Sequence, residues 1–172
     1  HQVASFIKAR DLLPGFGYRV RTLHGLANDI VRERPALVGL EDGFQIVDER
    51  ESNDILEDSA LAWIRANPYF LEKYISPELD ENQANFIMRD QWQKEVVTIA
   101  GSFIKQAKDW QMIPASVGKQ LERFGKPLPL AEMCHTIYIN YQRGLSYRGA
   151  VDFQDLIRLA LKALQDDADY LE

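Results

Sequence analysis

The feature that most constrains the fold is the helical spacing of apolar residues, which recurs along most of the chain. In residues 153–164 and 130–145, apolar side chains return every three or four positions, which places them on one face of an α-helix. A longer segment, from about residue 81 to 110, repeats them at near-heptad intervals. We therefore expect a mainly α-helical protein, in which amphipathic helices bury their apolar faces against one another.

Shorter segments complete the predicted architecture. Further helices are predicted at residues 3–13, 25–34, 51–66 and 115–124, with a short one holding Phe70, Leu71 and Tyr74. Two segments are β-prone instead: Tyr18–Leu23, which alternates, and Phe44–Val47, which is followed by Asp48 as a predicted N-cap. Few other strands are predicted to pair with them. We therefore expect a helical bundle with two short β segments at the edge of an absent sheet, as in a piece cut from a larger domain.

Charge is distributed unevenly along the chain. Twenty Lys and Arg face 26 Asp and Glu, a net charge of −6, which argues against a protein that binds nucleic acid over its whole surface. Basic side chains outnumber acidic ones by six to three in residues 1–35 and by five to two in residues 101–126. Residues 41–68 carry two basic and eight acidic side chains. A local basic track on an acidic body is therefore compatible with the sequence.

Other features bear on the location and chemistry of the chain. No run of about 18 apolar residues is present to span a membrane. The single cysteine, Cys134, cannot form an internal disulfide, so we expect a buried thiol and a cytoplasmic setting. The sequence has no GxxxxGK[ST] phosphate loop, no GxSxG elbow and no metal-ligand spacing of His, Cys and Asp. We assign no catalytic residue and no metal ligand.

The segment Thr22–Gly25 joins a predicted strand directly to a predicted helix. Such a junction exposes backbone N–H groups at the helix start, beside the side chains of Thr22 and His24 and next to Arg21. This arrangement suits a phosphate of a nucleic-acid backbone. An ordinary helix cap with a structural histidine is the alternative, and residue chemistry alone favours it.

Two pairs of charged residues admit both a structural and a functional interpretation. Asp152 and Asp155 occupy the N-cap and N3 positions of a predicted helix, so capping is favoured over acid–base or metal chemistry. Lys105 and Lys108 are three residues apart and are predicted to share a helical face. They can contact phosphates, although a solvated face is the commoner explanation for such a pair.

In their order and spacing, four segments resemble motifs of superfamily 1 DNA helicases of the UvrD/Rep type. The segments are Thr22–Gly25 (TFHS or TFHG), Phe44–Asp48 (FxILD), Phe103–Lys108 through Pro114 (IxxAK…P) and Val151–Ile157 (LDFDDLL). Each motif alone is weak, but four in register over nearly the whole chain are specific. Two residues depart from the pattern: Gly25 replaces the common Ser, and Gln154 replaces an acid.

The resemblance implies an ATP- and Mg²⁺-dependent enzyme that moves 3′ to 5′ along single-stranded DNA. Its fold would comprise two RecA-like domains, each with a helical insertion. Residues 1–34 would then be a flanking part of the first RecA-like domain, residues 35–150 would form its helical 1B insertion, and residues 151–172 would form the return helix towards the RecA-like domain. ATP and Mg²⁺ would be bound by segments that this chain does not contain. Thr22 and His24 carry over as DNA contacts.

We therefore expect a DNA-path piece of a helicase that is inactive by itself. Its expected partners are single-stranded DNA and the rest of the helicase chain, and the predicted strand at residues 18–23 favours self-association of the isolated piece. The alternative function is a helical module that binds another protein, which the acidic segment 41–68 and the long apolar-striped helix favour.

Overall fold

The described part of the protein contains seven α-helices and two very short strands. The computed structural model describes residues 22–76 and 78–167, without the side chains of residues 89 and 90. The helices are α1 (Leu23–Glu33), α2 (Glu49–Ala66), α3 (Glu81–Phe86), α4 (Trp92–Asp109), α5 (Pro114–Phe124), α6 (Pro129–Tyr147) and α7 (Phe153–Asp166); the strands are β1 (Gln45–Ile46) and β2 (Ala150–Val151). The prediction of a mainly α-helical fold is confirmed.

Local sequence explains where several helices begin and end. Asp48 caps α2 as predicted: its Oδ1 accepts from the Glu51 N–H at 2.8 Å, and the Glu51 carboxylate accepts from the Asp48 N–H at 3.2 Å. Proline occupies the first position of α5 and of α6, where its missing N–H costs no intrahelical bond. Gly125 ends α5 with a φ of 68°, a left-handed conformation that glycine adopts without strain.

Two hydrophobic cores organise the helices, and the β1–β2 pair lies between them. The larger core is built from α2, α4, α5 and α6, and the smaller one from α1, α7 and Phe44. Ala150 packs into the larger core and Val151 into the smaller, because successive strand residues point to opposite faces. Within the described residues, no helix combines the length and the apolar composition needed to cross a bilayer.

The predicted strand at Phe44–Val47 pairs with a segment that was not predicted to be β. Strands β1 and β2 run parallel, with Gln45 opposite Ala150 and Ile46 opposite Val151. The ladder extends through the Val47 N–H, which donates to the Val151 carbonyl at 3.0 Å. A strand of two residues is too short to show an alternating apolar pattern, so β2 was not predicted from the sequence. The other predicted strand, 18–23, lies outside the described residues except for its end, where Leu23 begins α1.

The long helix predicted from about residue 81 to 110 is interrupted. A π-helical turn at Ile87–Gln91 separates α3 from α4. An extra residue rotates the following helix by about 100° relative to the preceding one, but the six residues of α3 are too few for the apolar spacing to reveal that shift. The short segment predicted around Phe70–Tyr74 is a 3₁₀ turn, Glu72–Tyr74. The division of the chain at residues 34 and 150 stays a prediction.

The cysteine behaves as expected for a structural thiol. Cys134 is buried in the larger core on α6. Burial raises the pKa of its thiol to about 11, so the reactive thiolate is scarce near neutral pH.

Helices α2 and α6 pack closely enough to require a glycine. A Cβ atom at Gly144 would lie 2.8 Å from the Ile55 Cγ2 of α2. Alanine normally stabilises a helix by about 1 kcal/mol relative to glycine, but overpacking a core costs about 1–3 kcal/mol. We expect Gly144→Ala to lower the free energy of unfolding, as measured by urea denaturation. Gly43→Ala is the control, because no atom lies within 4 Å of the added Cβ. Equal or greater stability of Gly144→Ala would contradict the close packing.

Candidate nucleic-acid interface

A lysine buried between three helices is the centre of the polar interior. Lys108 lies near the end of α4, and its side chain is 0% exposed. Its ammonium pairs with the carboxylates of Asp152 and Asp155, the latter at 2.8 Å between Nζ and Oδ2. The ammonium also lies 4.9 Å from the centre of the Tyr141 ring on α6, within the range of a cation–π contact. A cation is tolerated here because opposite charges and a polarisable ring surround it.

Asp152 connects all three helices through its two carboxylate oxygens. Oδ1 accepts from the Asp155 N–H at 2.8 Å and thereby caps α7. Oδ2 accepts from Lys108 of α4 and from the Tyr141 hydroxyl of α6, the latter at 2.6 Å. The predicted capping role of Asp152 therefore accounts for only one of its two carboxylate oxygens.

Asp155 serves mainly as a charge partner. Its Oδ2 accepts from Lys108 and, at 2.7 Å, from the Gln142 amide, while its Oδ1 accepts from Arg158 Nε at 3.3 Å. Burial alone would raise the pKa of this carboxyl, but the charge of Lys108, the Gln142 hydrogen bond and Arg158 together hold the pKa below its usual range. The cluster thus matches two carboxylates with two cations.

The tyrosine of the cluster is held in its donor form. Burial, followed by the charge of Asp152, raises the pKa of the Tyr141 phenol. The hydroxyl therefore stays protonated and donates to Asp152. The apolar spacing of residues 130–145 predicted Tyr141 only as part of the apolar stripe of its helix. A useful signal was present nonetheless, because a buried tyrosine hydroxyl usually requires an acceptor.

The two lysines predicted to share a solvated face lie in different environments. Lys105 is exposed, whereas Lys108 is buried. The expectation of a common solvated face is therefore wrong for Lys108. Residues three apart on a helix diverge by about 60° around its axis, and that rotation is enough to turn Lys108 towards the interior.

Lys105 lines a groove of about 380 Å³ between α2, α4 and the first turn of α7. Phe153 and Gln154 line the same groove from α7, and Glu49 and Asn53 line it from α2. Phe153 is 43% exposed. The apolar spacing of residues 153–164 predicted Phe153 as part of the apolar stripe of α7 and did not predict its exposure.

The first turn of α1 contacts Phe153. The His24 and Phe153 rings meet edge to face, with centroids 5.4 Å apart. Thr22 is the N-cap of α1, and its Oγ1 accepts from the Gly25 N–H at 3.1 Å. The helix has no acidic residue in its first turn, so no carboxylate there opposes an anion. Arg21 lies outside the described residues.

The structure therefore brings together predicted site residues that are far apart in the sequence. His24 contacts the Phe153 ring, and Lys105 lines the same groove as Phe153. An exposed aromatic ring beside a lysine suits a single nucleic-acid strand, because bases stack on rings and phosphates pair with cations. Within residues 22–76 and 78–167, no group of three His, Cys, Asp or Glu side chains is arranged to hold a metal ion.

Removing the buried ammonium should destabilise the protein strongly. We expect Lys108→Met to lower the free energy of unfolding by about 3–5 kcal/mol, because Asp152 and Asp155 would remain buried without their shared cation. Urea denaturation measures the change. Lys105→Met is the matched control, because Lys105 lies one turn earlier on α4 with an exposed side chain, where about 0.5 kcal/mol or less is expected. Similar losses for both variants would show that the buried pairs contribute little.

The same cluster should give a specific acid sensitivity. Because its folded pKa is lowered, Asp155 contributes stability above its unfolded pKa of about 3.9, and that contribution is lost as pH falls through the folded pKa. The difference in unfolding free energy between wild type and Asp155→Asn should therefore shrink below about pH 4. Asp166→Asn on the same helix is the control, because its pair with Lys162 is about half exposed. A wild-type–Asp155→Asn difference that is constant from pH 7 to pH 3 would contradict this assignment.

Comparison with known proteins identifies the family. The family model described as UvrD/REP helicase N-terminal domain matches residues 8–172. No curated protein and no solved structure matches the chain significantly. Because the family match covers nearly all of the sequence, the chain belongs to the UvrD/REP helicase N-terminal domain family.

Proposed function

We propose that this chain is the part of a longer ATP-dependent 3′–5′ DNA helicase that lines the path of single-stranded DNA. The observation that carries the proposal is the exposed ring of Phe153 beside Lys105 in one groove. Bases stack on aromatic side chains without sequence preference, and lysines neutralise the adjoining phosphates. A translocating helicase needs this kind of contact, because it must hold any sequence it meets.

The start of α1 extends the proposed contact surface. The Thr22 and His24 side chains and the first backbone N–H groups of α1 would bind a phosphate next to the Phe153 ring, with Arg21 alongside. Lys105 would bind a second phosphate. Lys108 is left out of this surface, because its ammonium is buried against two carboxylates. Glu49 also lines the groove, so we expect the isolated chain to bind DNA weakly.

ATP and Mg²⁺ enter this proposal only through the rest of the protein. The sequence lacks a glycine-rich phosphate loop, and the described residues form no metal-binding cluster. We propose that other segments of the longer helicase bind the nucleotide, and that residues 35–150 form its helical insertion. A cytoplasmic location is part of the same proposal.

A protein-binding module is the second candidate function. An almost wholly apolar groove of about 320 Å³ lies between α4 and α5, with Trp110 and Phe124 at its edge. Trp110 is 70% exposed, and exposed apolar patches of this kind often mark protein contacts. Trp110→Ala separates the candidates, because it should leave DNA binding unchanged.

Two variants test the DNA path directly. Phe153→Ala should weaken binding of a labelled oligothymidylate by about 1–3 kcal/mol through lost stacking, with little change in salt dependence. Lys105→Met should reduce the slope of log affinity against log salt by about 0.7, the value for one phosphate contact on a single strand. Fluorescence anisotropy from about 50 to 200 mM salt measures both quantities.

Lys119→Met is the matched control for Lys105→Met. Lys119 is an exposed lysine on α5 and does not line the groove, so its loss should leave the salt slope unchanged. If Phe153→Ala and Lys105→Met both fold and keep the wild-type DNA affinity and salt slope, the DNA path lies elsewhere. An equal change in slope for the two lysine variants would indicate only a general effect of positive charge.

A further inference from the structure

We infer that Lys108 and Tyr141 are positioning residues, which set the Phe153 ring at the groove by holding the carboxylate of Asp152. This inference rests on the proposed function for its consequence in DNA binding. Its structural part, the placement of the ring, concerns the free protein and can be tested there.

The Asp152 carboxylate is held on several sides. Its side chain is 8% exposed, and both of its carboxylate oxygens accept hydrogen bonds. One bond comes from α4, one from α6 and one from the first turn of α7 itself. Three donors from three helices leave the carboxylate a single orientation relative to the bundle. The direction in which α7 starts is therefore fixed at Asp152.

Phe153 is the next residue and the first residue of α7. The residue is 43% exposed, so core packing covers only part of it. The ring meets His24 edge to face, and it lines the groove that also holds Lys105. A half-exposed side chain at a helix start depends on its backbone for its direction, and here the neighbouring Asp152 fixes that backbone.

Helix α4 carries two lysines, about one turn apart, that face different surroundings. Lys105 faces the groove, while Lys108 faces Asp152 inside the bundle. One rigid helix thus sets the spacing between the groove lysine and the residue that orients the groove aromatic. If Lys105 binds a phosphate and Phe153 stacks on a base, the Lys108–Asp152 contact fixes the distance between those two points on the strand.

Tyr141→Phe is the most informative variant. It removes the hydroxyl that donates to Asp152 at 2.6 Å but keeps the ring and every charge of the cluster. Tyr138→Phe is the matched control, because it removes a hydroxyl from the same helix that donates instead to the Met112 carbonyl at 3.0 Å. Both variants remove one tyrosine hydroxyl from α6, and only the Tyr141 hydroxyl donates to Asp152; the Tyr141 hydroxyl also has a hydrogen bond with Ser52.

The first readout is the proton NMR signal of the His24 imidazole in the free protein at one fixed pH. The Phe153 ring lies 5.4 Å away, so its ring current shifts that signal. Phe153→Leu gives the signal position without the ring current, and His24→Gln assigns it. We expect Tyr141→Phe to move the His24 signal towards its position in Phe153→Leu, and Tyr138→Phe to leave it in place.

The second readout is a double-mutant cycle on oligothymidylate affinity. Tyr141→Phe should weaken binding about threefold to tenfold when Phe153 is present, and should have no effect in the Phe153→Ala background. An equal loss in both backgrounds would mean that Tyr141 does not act through Phe153.

The inference is overturned if Tyr141→Phe leaves the His24 signal unchanged, or if Tyr138→Phe moves it as far. If the NMR result is as expected but Phe153→Ala does not alter DNA affinity, the positioning stands and the proposed DNA path fails. The two ideas can therefore fail separately.

Discussion

The packing of this chain depends on burying one ammonium group between two carboxylates. Lys108 lies in an interior where a lone cation would be strongly unfavourable, so α4 can pack against α7 only where Asp152 and Asp155 meet it. Asp152 is the N-cap of α7 and Asp155 lies in its first turn, and Tyr141 and Gln142 donate to them from α6. Apolar faces alone allow helices to slide or rotate. The charge cluster removes that freedom and selects one arrangement of the three helices.

The β1–β2 pair adds a second constraint at the same place. It joins residues about a hundred positions apart, Gln45 and Ala150, and leads directly into Asp152. A strand this short contributes little by itself. The pair matters for geometry, because the Ala150 side chain of β2 packs in the larger core and the Val151 side chain packs in the smaller one. The strand pair and the charge cluster together fix the position of one core relative to the other. The groove beside Phe153 lies where the two cores meet.

The sequence was sufficient where the determining interactions are local. Helix periodicity, the Asp48 cap and the position of Asp152 before α7 all depend on residues within one or two turns. The sequence did not predict features that depend on a partner far away in the chain. Nothing near Lys108 shows that it is buried, because its partners lie more than 40 positions away. Strand β2 likewise exists only through its pairing with β1. The candidate site was half predicted: His24 and Lys105 were named, but not Phe153, which contacts His24 and lines the groove with Lys105.

The motif Val151–Asp155 contributes to packing and also, through Phe153, to the groove that we propose binds DNA. Along Val151–Asp155, successive side chains point in different directions: Val151 into the smaller core, Asp152 to the charge cluster, Phe153 to the groove, and Asp155 back to the cluster. Gln154 lines the groove and is half-buried, outside the carboxylate pairs. An acid at this position can therefore be replaced by glutamine without disturbing Lys108. The amide also removes a negative charge from a wall that, on our proposal, faces DNA phosphates, so this departure from the family pattern favours binding.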